Sequence, residues 1–423
     1  MHSSNKIYSV REYEGILCEK DVPGFTSLPK KTFDDLEIFV LENTKSFESN
    51  PNDFFMLRSS VHGKVISPRN YVGVITMKDG TVIEILPKIV GESIGETETK
   101  QIFLDMLRVL NVITFKACES AKLQTERLNL FEIFIKMLVD ELVTLTKQGL
   151  KSAYSGVEAN ERFYKGKLQT SSHIKNNWYR VDRFFIRYDE FSLNRPENRL
   201  IKSTLLLLLQ VTKSSQNRSS ITRLLTFFEY VPASESIETD FSKCATSRDM
   251  NHYVVALSWC RVFLMGESFT AFSGSSLAYA LLFPMEQLFE RYIYSKLAFM
   301  AGKEFDIRAQ EQRFSLFDLP AKSFSLRPDI VINKNGKTVV IDTKWKLVNT
   351  ASRNNGISQS DMYQVYAYAK KYEAEKVYLL YPRSDLKMQN NLSYLSNDNV
   401  NVRVAFIDLL DPTLTLQKIL NDF

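Results

Sequence analysis

The sequence predicts a multidomain α/β protein with a β-rich N-terminal domain, a mixed and partly helical middle region, and a C-terminal core in the order α-β-β-β-α-β. Two observations support this prediction. The chain has 423 residues, more than one ordinary hydrophobic core accommodates. Its apolar residues follow strand spacing near both ends and helical spacing between them. We therefore expect three parts, residues 1–145, 146–270 and 271–423.

The composition is that of a folded globular protein, with 44% hydrophobic and 24% charged residues. The four cysteines and four histidines show no zinc-site spacing, so we expect reduced thiols in a cytoplasmic protein. The first ten residues lack the apolar core of a signal peptide. The most apolar runs, Leu205–Leu209 and Leu277–Phe283, are too short to cross a membrane, and we expect them in buried helices.

The N-terminal part begins with strands and continues with helices. Two Val- and Ile-rich runs, Tyr71–Ile75 and Val82–Pro87, flank an Asp-Gly pair, which predicts a β-hairpin. From Gln101 the apolar residues follow a helical period, and a longer helix is expected from Glu126 to Gln148. Gly149 stands where a helix C-terminal glycine is common.

The middle part is basic. From Lys151 to Arg223 there are 14 Lys and Arg against 6 Asp and Glu. Between residues 151 and 192 the basic residues alternate with aromatic ones, a pattern that suits contacts with phosphates and stacking on bases. The same pattern suits a packed β-segment with a charged outer face, and we favour that interpretation. A helix is expected to begin near Pro196, and Ser214–Asp249 is expected to be polar and irregular.

The C-terminal part changes pattern again, and an Asn335-Gly336 pair predicts a tight turn between two of its strands. The expected elements are a helix over Pro284–Met300, strands near Phe305–Ala309, Leu326–Ile332 and Lys337–Lys344, a helix over Ser360–Tyr372, and strands over Lys376–Tyr381 and Val400–Ile407.

The chemistry is concentrated in that hairpin. Asp342 and Lys344 project from one face of a strand, because side chains alternate faces, and Asp329 opens the partner strand. Two carboxylates at the edge of an apolar sheet repel each other, and a bound cation removes that penalty. Oxygen ligands of this kind suit Mg²⁺, and Lys344 could orient or deprotonate a water or stabilise developing charge. The alternative is a surface ion pair at a strand end, but the apolar strand before Asp342 favours phosphodiester hydrolysis.

These residues resemble the motif of the PD-(D/E)xK nuclease superfamily. Pro328-Asp329 matches its first half, and Asp342-Thr343-Lys344 matches its second. The resemblance implies that a helix glutamate before the core, Glu290, joins Asp329 and Asp342 as a metal ligand. It also implies that Gln364, on the helix after the lysine strand, completes the catalytic set. For Glu290 and Gln364 the alternative is an ordinary solvated helix position.

The chain as a whole resembles the McrC family, the nuclease subunits of McrBC modification-dependent restriction systems. The stretches that carry the resemblance are Tyr71–Ile75 with Val82–Lys88, Tyr164–Leu168 with Ile174–Asn177, Tyr188–Ser192 with Asn198–Lys202, and the nuclease core with Tyr363-Gln364 and Ala367-Tyr368.

This resemblance implies a Mg²⁺-dependent endodeoxyribonuclease, type II-like or type IV, that cuts double-stranded DNA containing methylcytosine. It implies a partner, an AAA+ GTPase of the McrB type that forms a hexameric ring and binds the GTP. Residues 1–145 would engage the ring and stimulate GTP hydrolysis. The chain itself shows no Walker A pattern, since Gly166-Lys167 has neither the upstream glycine nor the following Ser or Thr.

Three alternatives stay open. A related GTP-dependent system cuts its own unmodified recognition site, and the motif does not separate it from methylcytosine restriction. A non-catalytic adaptor could keep a degenerate nuclease fold, although the intact Asp329, Asp342 and Lys344 disfavour it. A standalone DNA-repair nuclease of the same superfamily is disfavoured by the β-rich N-terminal region.

Overall fold

The computed structural model of the chain describes residues 6–44, 55–77, 79–88, 95–108, 128–244, 248–265, 267–268, 270–271, 277–349, 351–383 and 392–423. Contacts divide the chain into two compact units. One combines residues 1–131 with 268–423, and the other comprises residues 132–267. The first unit therefore contains most of two of the three parts that the sequence predicts as separate regions.

The strands are β1 (Ile7–Arg11), β2 (Gly15–Cys18), β3 (Phe25–Leu28), β4 (Phe55–Ser60), β5 (Gly63–Pro68), β6 (Tyr71–Met77), β7 (Val82–Leu86), β8 (Ala153–Glu161), β9 (Lys167–Leu168), β10 (Phe184–Ser192), β11 (Glu267–Ser268), β12 (Thr270–Ala271), β13 (Leu277–Pro284), β14 (Asp306–Ala309), β15 (Ser315–Phe317), β16 (Ser323–Ser325), β17 (Ile330–Lys334), β18 (Lys337–Thr343), β19 (Lys376–Pro382), β20 (Leu392–Leu395) and β21 (Asn401–Ile407).

The helices are α1 (Lys30–Thr44), α2 (Glu96–Leu107), α3 (Leu130–Gln148), α4 (Thr170–Asn177), α5 (Pro196–Val211), α6 (Ser215–Phe227), α7 (Ile237–Lys243), α8 (Val254–Met265), α9 (Met285–Met300), α10 (Gln359–Lys371) and α11 (Thr413–Leu420). Short 3₁₀ turns cover Arg248–Tyr253 and Arg353–Gly356. Glu126, the expected start of α3, lies outside the described residues.

The N-terminal strands lie in two four-stranded sheets, ordered β3-β2-β5-β4 and β1-β7-β6-β13, of which only β13 comes from later in the chain. The predicted hairpin is confirmed as β6 and β7, which pair antiparallel. Helix α1 was not predicted. Its apolar residues Phe33, Leu36 and Val40 recur at helical spacing and join a buried cluster with Ile75 and Ile85 of the second sheet.

The expected helix over Leu277–Phe283 is wrong, because this run forms strand β13. It pairs antiparallel with β6, so a segment from the C-terminal part completes an N-terminal sheet. Leu281, Leu282 and Phe283 are all buried. A strand covered on both faces carries a continuous apolar run, and periodicity alone does not distinguish it from a buried helix.

The C-terminal part is built on a six-stranded sheet ordered β14-β17-β18-β19-β21-β20. Strands β17 and β18 pair antiparallel, whereas β18 pairs with β19, and β19 with β21, in parallel. Helix α10 covers this sheet through Val365, Tyr368 and Ala369, which join a cluster with Val340 and Val377. The elements expected from Pro284 to Ile407 are present, with the short strands β15, β16 and β20 in addition.

The second unit combines the three-stranded sheet β8-β10-β9 with helices. Helix α5 is present as expected and holds the run Leu205–Leu209. The irregular segment expected over Ser214–Asp249 is wrong, because α6 and α7 lie in it. The Ser214 hydroxyl caps α6 by accepting from the Asn217 amide, and Ile221 and Leu224 bury one face. Polar residues cover the exposed face, which hides the helical period.

The joint between β6 and β13 provides a test of the fold. Gly73 on β6 has φ +146°, and a Cβ there would lie 1.9 Å from the Leu281 carbonyl oxygen. We expect Gly73→Ala to lower the free energy of unfolding by about 3 kcal/mol, because the two strands must separate. Chemical denaturation of the full chain measures this.

Gly95→Ala is the matched control, since no atom of the described residues lies within 4 Å of a Cβ at that position. Equal denaturation midpoints for the two variants would contradict the close approach of β6 and β13.

Candidate active site

The hairpin of β17 and β18 brings two of the predicted carboxylates together. Its turn is the predicted Asn335-Gly336 pair, and both residues have positive φ, as a tight hairpin turn requires. Ile330 pairs with Ile341, so the same register sets Asp329 opposite Asp342. Three apolar residues before Asp342 anchor the strand in the sheet, which fixes the carboxylate at its end.

Asp329 is held by the strand opposite. Its Oδ2 accepts hydrogen bonds from the Thr343 amide at 2.6 Å and from the Thr343 hydroxyl at 2.7 Å. Both bonds end on Oδ2, so Oδ1 is the oxygen that could bind a cation. Burial raises the pKa of Asp329, against the opposing effect of the bonds from Thr343.

Asp342 is almost fully buried, with 1% of its surface exposed. Burial and the negative charge of Asp329 raise the pKa of Asp342 to about 7. Its Oδ2 has no hydrogen-bond partner of good geometry among the described residues, but the Lys344 ammonium lies 2.6 Å from it. An acidic group in this state is stabilised by any cation that reaches it.

Lys344 connects the strand to helix α10. Its Nζ donates to Gln364 Oε1 at 3.0 Å, so the structure brings together Lys344 and the predicted Gln364. Burial disfavours the charge on Lys344, but the Asp342 carboxylate outweighs that effect and raises its pKa. The side chain is therefore a cation at neutral pH.

Glu290 lies on α9 and faces the same centre. Burial and, to a smaller extent, the charge of Asp329 raise the pKa of Glu290 to about 7. Glu290 Oε1 accepts a hydrogen bond of 2.7 Å from Gln310 Nε2. Glu286, one turn earlier on the same helix, accepts from Asn70 Nδ2 at 3.4 Å.

Three residues that the sequence reasoning did not assign to the site complete this network. Tyr368 accepts from Gln364 Nε2 at 2.8 Å and donates to the Arg327 carbonyl at 3.0 Å. Arg327 Nη2 donates to Gln310 Oε1. The position of Tyr368, four residues after Gln364, signals a shared helix face. Arg327 adjoins Pro328-Asp329, whereas nothing in the sequence marks Gln310.

The donor set fits a hard divalent cation, although the ligands are not yet gathered around one point. Asp329 and Asp342 supply carboxylate oxygens, the ligand type that Mg²⁺ prefers, and Oδ1 of Asp329 takes no part in the hydrogen bonds from Thr343. Within the described ranges no three His, Cys, Asp or Glu side chains are close enough to hold a metal ion. Glu290 would therefore have to move towards the two aspartates to become a third ligand.

The basic and aromatic segment lies on the sheet of the second unit. The expected strands are present, but several of the aromatic side chains are exposed rather than packed, among them Tyr154, Phe163 and Trp178 at 74%, 82% and 78%. Lys165 Nζ lies 3.6 Å from the centre of the Tyr188 ring. The interpretation as a packed β-segment is therefore correct only for the backbone of β8, β9 and β10. It is wrong for Thr170–Asn177, which forms helix α4, and for these exposed side chains.

Two further expectations concern the whole chain. Cys18, Cys244 and Cys260 are free thiols, and Cys118 lies outside the described residues. In the part of the chain that the structure describes, none of the helices combines the length and apolar character needed to cross a membrane.

A family model described as the McrBC 5-methylcytosine restriction system component matches residues 66–382. No curated protein matches the chain in sequence.

Two solved structures have a similar fold. A chain of the refined half-complex from the tetradecameric assembly of Thermococcus gammatolerans McrB AAA+ hexamers with bound McrC has a TM-score of 0.73 at 18% identity, with 99% of this chain and 100% of that chain covered. A chain of the cryo-EM structure of the Thermococcus gammatolerans McrBC complex has a TM-score of 0.52 at 20% identity, with 71% and 90% covered.

The family model covers well over half of the residues, from strand β5 to the end of β19. The resemblance inferred from the sequence is thereby confirmed at the level of the family: the chain belongs to the McrBC family of restriction-system components.

Proposed function

We propose that the chain is the Mg²⁺-dependent DNA endonuclease subunit of a GTP-dependent McrBC-type restriction complex. The observation that carries the proposal is the buried Asp342 beside Asp329 and Lys344 at the end of one β-hairpin. The chain order α9, β14, β17, β18, α10, β19 supports membership of the PD-(D/E)xK superfamily. Proteins of this kind concentrate perturbed pKa values at the catalytic centre.

The roles follow from the contacts. Asp329, Asp342 and Glu290 would hold Mg²⁺, which supplies a polarised phosphate and a bound water of lowered pKa. The Lys344 ammonium, held by Gln364, stabilises the negative charge that develops on the phosphate oxygens. Its raised pKa favours this role over proton abstraction. Gln364 is itself held by Tyr368, so the cation keeps a fixed direction.

The partner is proposed to be an AAA+ GTPase ring of the McrB type. The support is the fold shared with a structure of Thermococcus gammatolerans McrB hexamers with bound McrC. GTP would bind to the ring, because the chain lacks a Walker A sequence. The substrate is proposed to be double-stranded foreign DNA that contains methylcytosine, on the family description.

Restriction of unmodified sites is the second candidate of the same class, and the active site does not discriminate between the two. A standalone repair nuclease is disfavoured by the fold likeness over 99% of the chain. A non-catalytic adaptor is disfavoured by the perturbed carboxylates, which an inactive site has no reason to keep.

The catalytic roles are tested by removing single groups from β18 and its end. We expect Asp342→Ala and Lys344→Ala each to reduce DNA cleavage by the complex by roughly 10²-fold or more, since each removes a charge that acts in the transition state. GTP hydrolysis by the partner should stay unchanged. Plasmid cleavage and phosphate release measure the two activities.

Lys337→Ala is the matched control, because Lys337 lies on the same strand and forms only an exposed ion pair with Glu375. Loss of GTPase stimulation together with cleavage would show that cutting and ring activation are not divided as proposed.

A second prediction concerns pH. The pKa of Asp342 is about 7 in the folded chain and lower in the unfolded chain. At pH values between these two pKa values, the folded state therefore binds more protons than the unfolded state. Stability of the metal-free chain should therefore fall as pH rises through that window, from about pH 4 to about pH 7. Asp342→Asn should reduce this fall, and added Mg²⁺ should offset it in the unmodified chain.

Thermal unfolding of the metal-free chain at a series of pH values measures the effect. The control is Asp306→Asn, since Asp306 is half exposed and paired with Arg308. If Asp342→Asn and the unmodified chain gave parallel stability curves, the buried carboxylate would not titrate as proposed.

A third prediction concerns the ring. Deletion of residues 1–145 is unsuitable, because β6 pairs with β13 and the deletion would unfold the first unit. Exposed apolar residues of the N-terminal region allow a gentler test: Ile38 and Leu41 on α1, and Val61 between β4 and β5. We expect one or more of Ile38→Glu, Leu41→Glu and Val61→Glu to weaken co-purification with the ring, since charge disrupts an apolar contact.

Trp178→Ser in the second unit is the comparison, with a side chain 78% exposed. If this substitution released the ring while all three N-terminal variants still bound it fully, the contact with the ring would lie in the second unit and not in residues 1–145.

A further inference from the structure

Gln310 stands at the centre of contacts that no motif explains. It follows β14, and its backbone amide donates to the Asp329 carbonyl at 2.8 Å. Its side-chain Nε2 donates to Glu290 at 2.7 Å, and its Oε1 accepts from Arg327 Nη2. One residue thus touches the helix that carries Glu290 and the segment that carries Asp329.

The chemistry of these contacts requires an amide. Nε2 faces a carboxylate and Oε1 faces a guanidinium, so each end of the amide meets a group of the opposite polarity. A carboxylate at this position would repel Glu290, and an ammonium would repel Arg327. The reversed amide would place its NH₂ against the guanidinium, which has no acceptor.

The backbone of Gln310 is in an unfavourable conformation. Its φ of +49° lies in the left-handed region, which residues with a Cβ rarely adopt. The side chain is exposed, so burial does not require its hydrogen bonds. Strain at an exposed residue that contributes little to the core is typical of positions that serve a site rather than the fold.

We propose that Gln310 is a positioning residue of the cleavage centre, which orients Glu290 for the metal ion and Arg327 for a phosphate of the bound DNA. This inference rests on the proposed nuclease function and extends it to two residues outside the superfamily motif. The Arg327 side chain is exposed beside Asp329, and its guanidinium presents further N–H donors of the geometry that binds phosphate oxygens.

Different substitutions test the two roles separately, the orientation of Glu290 and the orientation of Arg327. Gln310→Met keeps the length of the side chain but removes both hydrogen bonds, so it should weaken Mg²⁺ binding and cleavage. Arg327→Met removes the phosphate contact and the hydrogen bond to Gln310 Oε1 but leaves the bond from Gln310 Nε2 to Glu290, so it should raise KM for DNA while Mg²⁺ binding is retained. Gln310→Gly relieves the left-handed backbone, so its unfolding temperature should not fall although cleavage does.

The experiment combines Mg²⁺ titration of the full chain by calorimetry, thermal unfolding, and cleavage kinetics of the complex with its ring. We expect Gln310→Met and Gln310→Gly to lose roughly 10- to 100-fold in Mg²⁺ affinity or kcat/KM, the range typical of residues that orient metal ligands. The controls are Gln417→Met on the exposed face of α11 and Arg308→Met on β14, which remove the same groups elsewhere in the unit.

The outcomes are distinguishable. Unchanged Mg²⁺ affinity and kcat/KM in Gln310→Met would overturn the inference and leave the nuclease function intact. If both Gln310 variants lost activity only in proportion to a lower unfolding temperature, the role of the residue would be structural. That result would also overturn the inference. Failure of the unmodified complex to cleave DNA with Mg²⁺ would instead contradict the proposed function itself.

Discussion

A carboxylate inside a protein sheet destabilises the fold by several kcal/mol unless a positive charge or a proton neutralises it. Asp342 is such a carboxylate, and the side chains around it are arranged according to this constraint. The Lys344 ammonium lies against it, Gln364 holds the ammonium, and Tyr368 holds Gln364. The raised pKa of Asp342 shows that this neutralisation is incomplete. The Mg²⁺ ion that we propose would complete it, so the cost of burying this carboxylate and the proposed affinity for metal have one physical origin.

The same centre depends on residues far away in the chain. Trp345 follows Lys344, and its indole donates to both carboxylate oxygens of the buried Glu12, at 3.2 and 3.0 Å. Glu12 also accepts from the Lys88 amide at 2.9 Å. The Trp345 ring in turn packs against Phe289, the neighbour of Glu290. The N-terminal strands thus brace the end of β18 and the start of α9, which explains why they share one compact unit with the C-terminal sheet.

The sequence was informative where short-range geometry determines structure. The Asn335-Gly336 turn and the apolar run before Asp342 were enough to bring two carboxylates together, because hairpin register follows from the turn. The prediction of a helix over Leu277–Phe283 was wrong, since a strand buried on both faces and a buried helix both carry a continuous run of apolar residues.

The other contacts of the site join residues that are far apart in the sequence, and no local sequence pattern predicts them. Glu12 and Trp345 are 333 positions apart. Gln310 contacts Glu290 and Arg327 from a left-handed backbone conformation, which glutamine in a sequence does not signal. The sequence alone could have pointed to Tyr368, which lies four residues after Gln364 on the same helix. It could also have pointed to Arg327, which lies two residues before Asp329. Their roles become visible once the contact between the Tyr368 hydroxyl and the Arg327 carbonyl is known.

The most direct measurement is cleavage of methylated and unmethylated plasmid by the chain with its proposed GTPase partner and Mg²⁺, with and without GTP. The proposed function predicts cutting only of methylated DNA, and only when the partner and GTP are both present. Cutting by the chain alone with Mg²⁺ would contradict it and would favour a standalone nuclease.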